Sequence, residues 1–364
     1  MPPTSISPLL SSQPSRRSLL RGAGTVAAAA ALFGLTACGG SSASGTGSVT
    51  KVSLGHAAGI SNAPLYIALA RGYFQAEGID AELRAFKSGG DMVAPLASGQ
   101  LDAGTGAPGA GVFNAVGRGL GVRLVADTGK LDDGTKYSNL LVRKALVDSG
   151  EFTKLSDLKG KRLGLYADGT STTLWFDRAL AQGGLQRSDI QANFLGGPDQ
   201  AIALQNGSID AATTAEPYAT KAIESGAAVR FAVGADFYPG LQLGVIMYGT
   251  AFTQKKPEVA VSFMKAYLRG VADFSASLVD GQVRGKDAQE ITDIISKYTE
   301  LDSALIAKTY AAPVDSKGAL NVKGLADDLE TYRRAGLIEK ADLKIEDIVD
   351  TSFVEKAAAA LATT

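Results

Sequence analysis

A short pattern that occurs twice in the chain limits the folds that it can adopt. "PLASGQLDAGTGAP" (95–108) and "ALQNGSIDAATTAEP" (203–217) each contain a predicted helix end, a Gly, an Asp-Ala strand start and a Pro just beyond the strand. The second copy has one additional residue before the Pro. The match is too short for a solenoid repeat, and it predicts two similar α/β lobes.

Predicted strands and helices alternate around both copies. "TKVSLGHAA" (50–58) is a predicted strand, "SNAPLYIALARGYFQAEG" (61–78) a helix and "DAELRAF" (80–86) a second strand. In the second half, "KGKRLGLYADGTS" (159–171) contains a strand and its turn, and "LQLGVIMYG" (241–249) is a predicted return strand. This alternation predicts an α/β fold in which each lobe is a mostly parallel sheet flanked by helices.

The N-terminus has the pattern of an export signal. "SRRSLLRGAGTVAAAAALFGLTACGG" (15–40) combines basic residues, a short apolar stretch and small residues before Cys38. The paired arginines resemble a twin-arginine signal, with an ordinary basic region as the alternative, and "LTAC" resembles a bacterial lipobox. We therefore predict a signal peptide over 1–37, lipidation of Cys38 and a flexible leash over 38–49, which would tether the chain to the outer face of the cytoplasmic membrane.

Composition excludes several classes of function. The formal net charge is -1, with 36 basic and 37 acidic residues, so nothing favours nucleic acid as a partner. Cys38 is the only cysteine and His56 the only histidine, which leaves little basis for a zinc site or a histidine-assisted nucleophile. The sequence therefore predicts no metal and no cofactor, and His56 is either a plain strand-end residue or part of a ligand site.

Three turns at predicted strand ends are candidates for ligand contact: 56–64, 105–111 and 168–173. None contains Lys or Arg, so an anion there would be bound by backbone N–H groups, hydroxyls and helix dipoles, each dipole contributing about 0.3–1 kcal/mol. Four consecutive hydroxyl residues occupy 170–173, although one is enough to cap a helix, so we expect Ser171 and Thr172 to contact a ligand. Simple capping is the alternative, and a tight bend is the alternative for "GTGAPGAG" (104–111), which lacks nucleotide-binding spacing.

Further candidates lie at the end of the second copy of the pattern. In "TAEPYATKA" (214–222), Glu216 and Tyr218 flank a Pro just after a strand, where an aromatic ring can line a pocket or simply pack within the lobe. Tyr238, in "DFYPG", lies near an expected crossover between lobes and could face the cleft. No motif supplies paired catalytic carboxylates in a supporting context.

Five segments, taken in order, resemble one family. They are "APLYIALARGYFQAEGIDAEL", "SGQLDAGTGAP", "LSDLKGKRLGL", "NGSIDAATTAEPYATKA" and "FTQKKPEVAVSFMKAY". Together they resemble the substrate-binding proteins of nitrate, sulfonate and taurine importers, a group that also includes binders of thiamine-pyrimidine precursors and aromatic carboxylates. The resemblance implies a type II periplasmic-binding-protein fold, a monomer that closes on one small molecule and delivers it to an ATP-driven permease.

The resemblance also implies boundaries and binding residues. Lobe 1 would comprise 50–139 and 241–364, lobe 2 would comprise 140–240, and crossovers would lie near 137–142 and 238–245. The implied ligand-binding residues are Ser61, Asn62, Ala63, Gly106, Ala107, Ser171, Thr172, Glu216 and Tyr218.

The substrate and two other functions stay open. Glu216, if it faces the cleft, would repel an anion and favour a cationic or hydrogen-bond-donating group, so a zwitterion or polar heterocycle is as consistent as a sulfonate. An enzyme related to thiamine-pyrimidine synthases, which use a histidine and a lysine-bound cofactor, is one alternative. A solute sensor that docks to a membrane receptor is the other.

Overall fold

The computed structural model describes residues 49–363. The predicted signal peptide, Cys38 and all but the last residue of the predicted leash lie outside this range. Within it the strands are β1 (Thr50–Ala57), β2 (Ile79–Phe86), β3 (Ala103–Gly106), β4 (Val122–Leu131), β5 (Ser138–Arg143), β6 (Arg162–Leu165), β7 (Gln191–Phe194), β8 (Ala211–Ala215), β9 (Ala228–Val233), β10 (Leu241–Gly249), β11 (Leu278–Val279) and β12 (Gln282–Val283).

Helices separate most of these strands. They are α1 (Ala63–Ala70), α2 (Tyr73–Ala76), α3 (Val93–Ser98), α4 (Ala110–Gly117), α5 (Lys144–Asp148), α6 (Ser171–Gln182), α7 (Gly197–Asn206), α8 (Tyr218–Glu224), α9 (Thr250–Lys255), α10 (Pro257–Ser277), α11 (Ala288–Thr299), α12 (Ser303–Ile306), α13 (Val322–Arg334) and α14 (Ser352–Leu361). None of the helices within 49–363 is long and apolar enough to cross a membrane.

Ten of the strands form two five-stranded sheets, which confirms the predicted two-lobed α/β fold, and β11 pairs with β12 in a separate two-stranded sheet. The first sheet has the order β2-β1-β3-β10-β4 and the second the order β7-β6-β8-β5-β9. The chain passes from the first sheet to the second between Leu131 and Ser138, and returns between Val233 and Leu241.

Both sheets are mixed, with four strands in one direction and one strand in the opposite direction. In the first, β1 is parallel to β2 and β3, whereas β10 is antiparallel to β3 and β4. In the second, β6 is parallel to β7 and β8, whereas β5 is antiparallel to β8 and β9. The antiparallel strands β5 and β10 are the first strands after each crossover.

Two large apolar clusters stabilise this arrangement. One lies between the first sheet and α1, α10 and α14, and includes Leu54, Phe263 and Val354. The other contains buried residues of both sheets and includes Trp175 of α6 and Leu131 at the end of β4. Because a single cluster joins both sheets, the lobes share buried apolar surface next to the crossovers.

Candidate ligand-binding site

A cavity of about 440 Å³ lies between the two lobes. Its lining includes the carboxyl ends of β1, β3 and β8, the residue after β6, the first turns of α6 and α8, and parts of β4 and β10. This is the position at which open α/β sheets bind ligands, because parallel strands end and helix N-termini converge there. A volume of this size accommodates a small organic molecule.

Most of the predicted site residues line this cavity. Those in its walls are Ser61, Asn62, Gly106, Ala107, Ser171, Thr172, Glu216 and Tyr218. The other three predicted residues, His56, Ala63 and Tyr238, lie outside the lining. Whether the lining residues bind a ligand stays a prediction.

The three outlying side chains have other surroundings. His56 is buried, its Nδ1 lies 2.9 Å from the Tyr66 hydroxyl, and burial lowers the pKa of His56, which favours the neutral ring. Ala63 is fully buried in the first turn of α1. Tyr238 donates its hydroxyl to Asp328 Oδ1 at 2.7 Å, and this contact holds it against α13.

The N-terminus of α6 opens onto the cavity without a side-chain cap. Thr170 is the N-cap residue, but its hydroxyl donates to Ala167 O at 2.9 Å rather than accepting from the helix. Thr173 donates its hydroxyl to Thr170 O at 2.7 Å. The alternative prediction, that the hydroxyl run caps α6, is therefore wrong, because these hydroxyls donate to carbonyl groups instead.

This arrangement leaves hydrogen-bond donors for a ligand. The first N–H groups of a helix have no partner within the helix and carry a partial positive charge. The hydroxyls of Ser171 and Thr172 have no hydrogen-bond partner among residues 49–363, and both residues line the cavity. The end of α6 is thus suited to an oxyanion, although the lining contains neither Lys nor Arg.

On the opposite wall, a short turn over 60–62 leads into α1. Asn62 donates its Nδ2 to Ala57 O at 2.7 Å, which holds this turn against the end of β1. Ser61 lines the cavity together with Tyr137, a residue of the first crossover, and the Ser61 side chain partly offsets the effect of burial, which raises the pKa of Tyr137. The first lobe and the segment that enters the second lobe therefore both contribute to the lining.

Glu216 lines the cavity, but its carboxylate is occupied by protein groups. Oε1 accepts from Arg230 Nη2 at 3.3 Å and Oε2 accepts from the Thr220 N–H at 3.0 Å. Burial raises the pKa of Glu216, and both of these donors oppose the shift. Because the charge is paired inside the second lobe, this geometry does not support the expected repulsion of an anionic ligand.

Tyrosine side chains form a part of the lining that the sequence reasoning missed. Tyr137 and Tyr166 join Tyr218 in the wall, and Tyr166 Oη accepts from the Ala215 N–H at 3.3 Å. Burial raises the pKa of both Tyr137 and Tyr166, so their hydroxyls stay neutral and able to donate. Tyr166 directly follows β6, so the strand-end rule could have found it, whereas Tyr137 has no local signal.

Fold and site together define a two-lobed α/β protein with a partly open cavity between the lobes. Residues 60–277 match the family model described as "NMT1/THI5 like", and the chain belongs to this family. A relative in Bacillus subtilis (strain 168), named "Putative aliphatic sulfonates-binding protein", is 27% identical over 349 residues, covering 92% of this chain and 96% of the relative.

Solved structures of binding proteins share the fold. The alkanesulfonate-binding protein SsuA from Xanthomonas axonopodis pv. citri, bound to MOPS, has a TM-score of 0.64 at 18% identity, covering 82% of this chain and 97% of SsuA. The periplasmic nitrate-binding protein NrtA from Synechocystis PCC 6803 has a TM-score of 0.71 at 14% identity, covering 87% of this chain and 90% of NrtA.

The same fold also occurs in an enzyme. A cysteine-to-serine mutant of DSZB in complex with biphenyl-2-sulfinic acid has a TM-score of 0.61 at 14% identity, covering 85% of this chain and 99% of that chain. The fold alone therefore does not separate binding from catalysis. In the described part of this chain, the cavity is lined by no Cys, His or Lys.

Proposed function

We propose that the chain is the extracytoplasmic substrate-binding lipoprotein of an ABC importer. It captures a small organic anion of the sulfonate class between its lobes and delivers it to the permease. The observation that carries this proposal is the uncapped N-terminus of α6, which presents N–H groups and two free hydroxyls to the cavity between the lobes. The names of the relatives agree with this chemistry, because a sulfonate offers three acceptor oxygens and no donor.

The size of the cavity favours an organic substrate over a simple inorganic ion. Its volume of about 440 Å³ is many times the roughly 30 Å³ that one water molecule occupies in the liquid. The tyrosine rings and apolar residues such as Leu243 and Leu301 provide surface for a carbon chain or ring. We therefore favour organic sulfonates over nitrate as the substrate.

Two features of the proposal depend on the N-terminus. The signal-like segment and Cys38 support export and a lipid anchor on the outer face of the cytoplasmic membrane. The anchor predicts that the chain is recovered with the membrane fraction and that Cys38→Ala releases it. Recovery of both forms in the same soluble fraction would contradict the anchor and leave the binding proposal intact.

The enzyme alternative has less support in this cavity. A thiamine-pyrimidine-synthase-like reaction would need a histidine and a lysine at the site, whereas His56 is hydrogen-bonded to Tyr66 outside the lining. A desulfinase-like reaction would need a nucleophile, and the one cysteine of the chain is in the predicted lipobox. Turnover of any bound compound, followed by mass spectrometry, would revive this alternative.

The test is calorimetric and thermal titration of residues 39–364 with a panel of compounds. The panel contains nitrate, alkyl and aromatic sulfonates, taurine, aromatic carboxylates, aminopyrimidines and amino acids. A ligand at about 100 times its dissociation constant should add roughly 2.7 kcal/mol to the free energy of unfolding. Binding confined to amino acids or aminopyrimidines would contradict the sulfonate class.

A double variant tests the site itself. Ser171→Ala with Thr172→Ala should weaken sulfonate binding about 10-fold or more, since hydrogen bonds to charged groups contribute roughly 1.5–3 kcal/mol. The melting temperature of the unliganded protein should stay nearly unchanged, because neither hydroxyl caps α6. Wild-type affinity in this variant would exclude the α6 terminus as the anion site.

A further inference from the structure

One buried hydroxyl in the cavity wall has no hydrogen-bond partner. Five buried side-chain atoms of the described residues lack a partner, and they belong to Thr105, Arg143, Trp175, Tyr332 and Arg333. Of these residues only Thr105 lines the cavity, and the residue is 2% exposed. A buried hydroxyl without a partner is unfavourable, so a native structure that keeps one needs an explanation.

The internal repeat shows that this unpaired state is not imposed by the strand. Thr105 in "DAGT" corresponds to Thr213 in "DAAT" of the second copy. β3 pairs with β1 in the same register as β8 pairs with β6, so Gly55 corresponds to Gly164. Thr213 donates its hydroxyl to Gly164 O at 3.4 Å, and it lies outside the cavity lining.

The unpaired hydroxyl belongs to a residue that lines the same cavity as the proposed anion site. The loop after β3 contacts the loop before α6 directly, because the Ala110 N–H donates to Gly169 O at 3.1 Å. Gly106 and Ala107 from the first loop and Thr170 and Ser171 from the second line the same cavity. A group bound there is therefore reached from both lobes.

We propose that Thr105 determines specificity by donating its hydroxyl to the anionic head group of the ligand. This inference rests on the proposed function and adds a contact from the first lobe to those of α6 from the second. A head group held in this way needs at least two acceptor oxygens that point in different directions. Sulfonates and carboxylates meet this requirement, whereas an ammonium group does not.

The experiment compares Thr105→Val with the matched control Thr213→Val. Each exchanges a buried hydroxyl for a methyl group of similar size at equivalent positions of the two lobes. The probes are methanesulfonate, butane-1-sulfonate and MOPS, and the measurements are the dissociation constant and the melting temperature without ligand. Thr105→Ser, which keeps the hydroxyl, serves as the rescue variant.

The two variants should behave in opposite ways. Thr105→Val should weaken binding of every sulfonate that the wild type binds by roughly 10- to 100-fold, without lowering the unliganded melting temperature. Thr213→Val should lower the melting temperature and leave the affinity unchanged, since it removes a satisfied hydroxyl away from the cavity. Thr105→Ser should restore most of the wild-type affinity.

Several outcomes would overturn the inference. If Thr105→Val binds each sulfonate within twofold of the wild type, the hydroxyl does not contact the ligand. If only MOPS loses affinity, Thr105 contacts the tail and not the head group. If the wild type binds no sulfonate, the proposed function and this inference are both overturned. If the wild type binds sulfonates and Thr105→Val binds them equally well, only the inference is overturned.

Discussion

The two copies of the repeated pattern share a backbone and differ in what their side chains do. In both, a helix ends at a glycine with φ +74° and an aspartate precedes a strand that joins its neighbour in the same register. In the first copy, Thr105 is unpaired and lines the cavity. In the second, Thr213 is hydrogen-bonded and Asp210 pairs with two arginines. At these equivalent positions, the first copy leaves a hydroxyl free for a ligand, whereas the second copy satisfies its polar groups internally.

Glu216 is the additional residue of the second copy, and its replacement should have the largest effect on the free energy of unfolding. Glu216→Ala removes a buried carboxylate that binds Arg230 and the Thr220 N–H, and it has no counterpart in the first copy. We expect a loss of about 3 kcal/mol in the free energy of unfolding, measured by urea denaturation. This loss is at the low end of the range for a buried ion pair, because Arg230 also donates to Asn139 and keeps that hydrogen bond in the variant.

An exposed ion pair provides the control for Glu216. Glu224 lies 2.7 Å from Lys308, and the two side chains are 45% and 55% exposed. Glu224→Ala should therefore cost less than about 1 kcal/mol. Equal losses in the two variants would show that the pairing of Glu216 does not distinguish the second lobe.

The second largest difference in stability should come from replacing the aspartates of the two copies, Asp210 and Asp102. Asp210 accepts from Arg162 through both oxygens and also from Arg143, whereas Asp102 Oδ2 accepts only from the N–H and hydroxyl of Ser53. Asp210→Asn should cost about 2 kcal/mol at pH 7, allowing for the partial exposure of Arg162. Asp102→Asn should cost less than about 0.5 kcal/mol, because an amide oxygen can accept both bonds from Ser53.

The dependence on pH provides a second measure of the same difference. Burial acts to raise the pKa of Asp210, but hydrogen bonds from Arg162 outweigh it and leave the pKa of Asp210 below its ordinary value. A lowered pKa contributes stability above the unfolded value near 3.9, and this contribution is lost as the pH falls through the folded value. The gap between wild type and Asp210→Asn should therefore narrow below about pH 4. A gap that stays constant down to pH 2 would contradict the ion-pair explanation.

The repeat and the alternation of strands and helices predicted much of the fold and part of the candidate site. They predicted two α/β lobes, and the rule that ligands bind at strand ends selected residues such as Ser61 and Ser171 that do line the cavity. Local patterns succeed here because helix ends, turns and strand starts depend on nearby residues.

Pairings between distant side chains could not be predicted in the same way. "DAGT" and "DAAT" are nearly identical, yet only Thr213 finds an acceptor, because the surroundings of the two strands differ. The partner of Glu216 is Arg230 on another strand, and this contact removed the reason to expect a cationic ligand. Hydroxyls at the start of α6 likewise bond to carbonyl groups that only the folded turn brings near.

The smallest expected loss of stability comes from changing the glycine that ends the helix in each copy. Gly99 and Gly207 both end their helices with φ +74°, a backbone conformation that disfavours any residue with a Cβ atom. Gly99→Ala should lower the free energy of unfolding by about 1 kcal/mol. Gly207→Ala should cost at least as much, because its added Cβ would lie 2.7 Å from Nη1 of Arg143, which would have to move. As a control of opposite sign, Gly111→Ala in α4 should be stabilising, since the added Cβ meets nothing within 4 Å and Ala favours helix. Absence of any loss in urea denaturation would contradict the left-handed helix end that the two copies share. Losses in both variants would indicate that the copies share their backbone and differ in their side chains, as at the pairs Thr105/Thr213 and Asp102/Asp210.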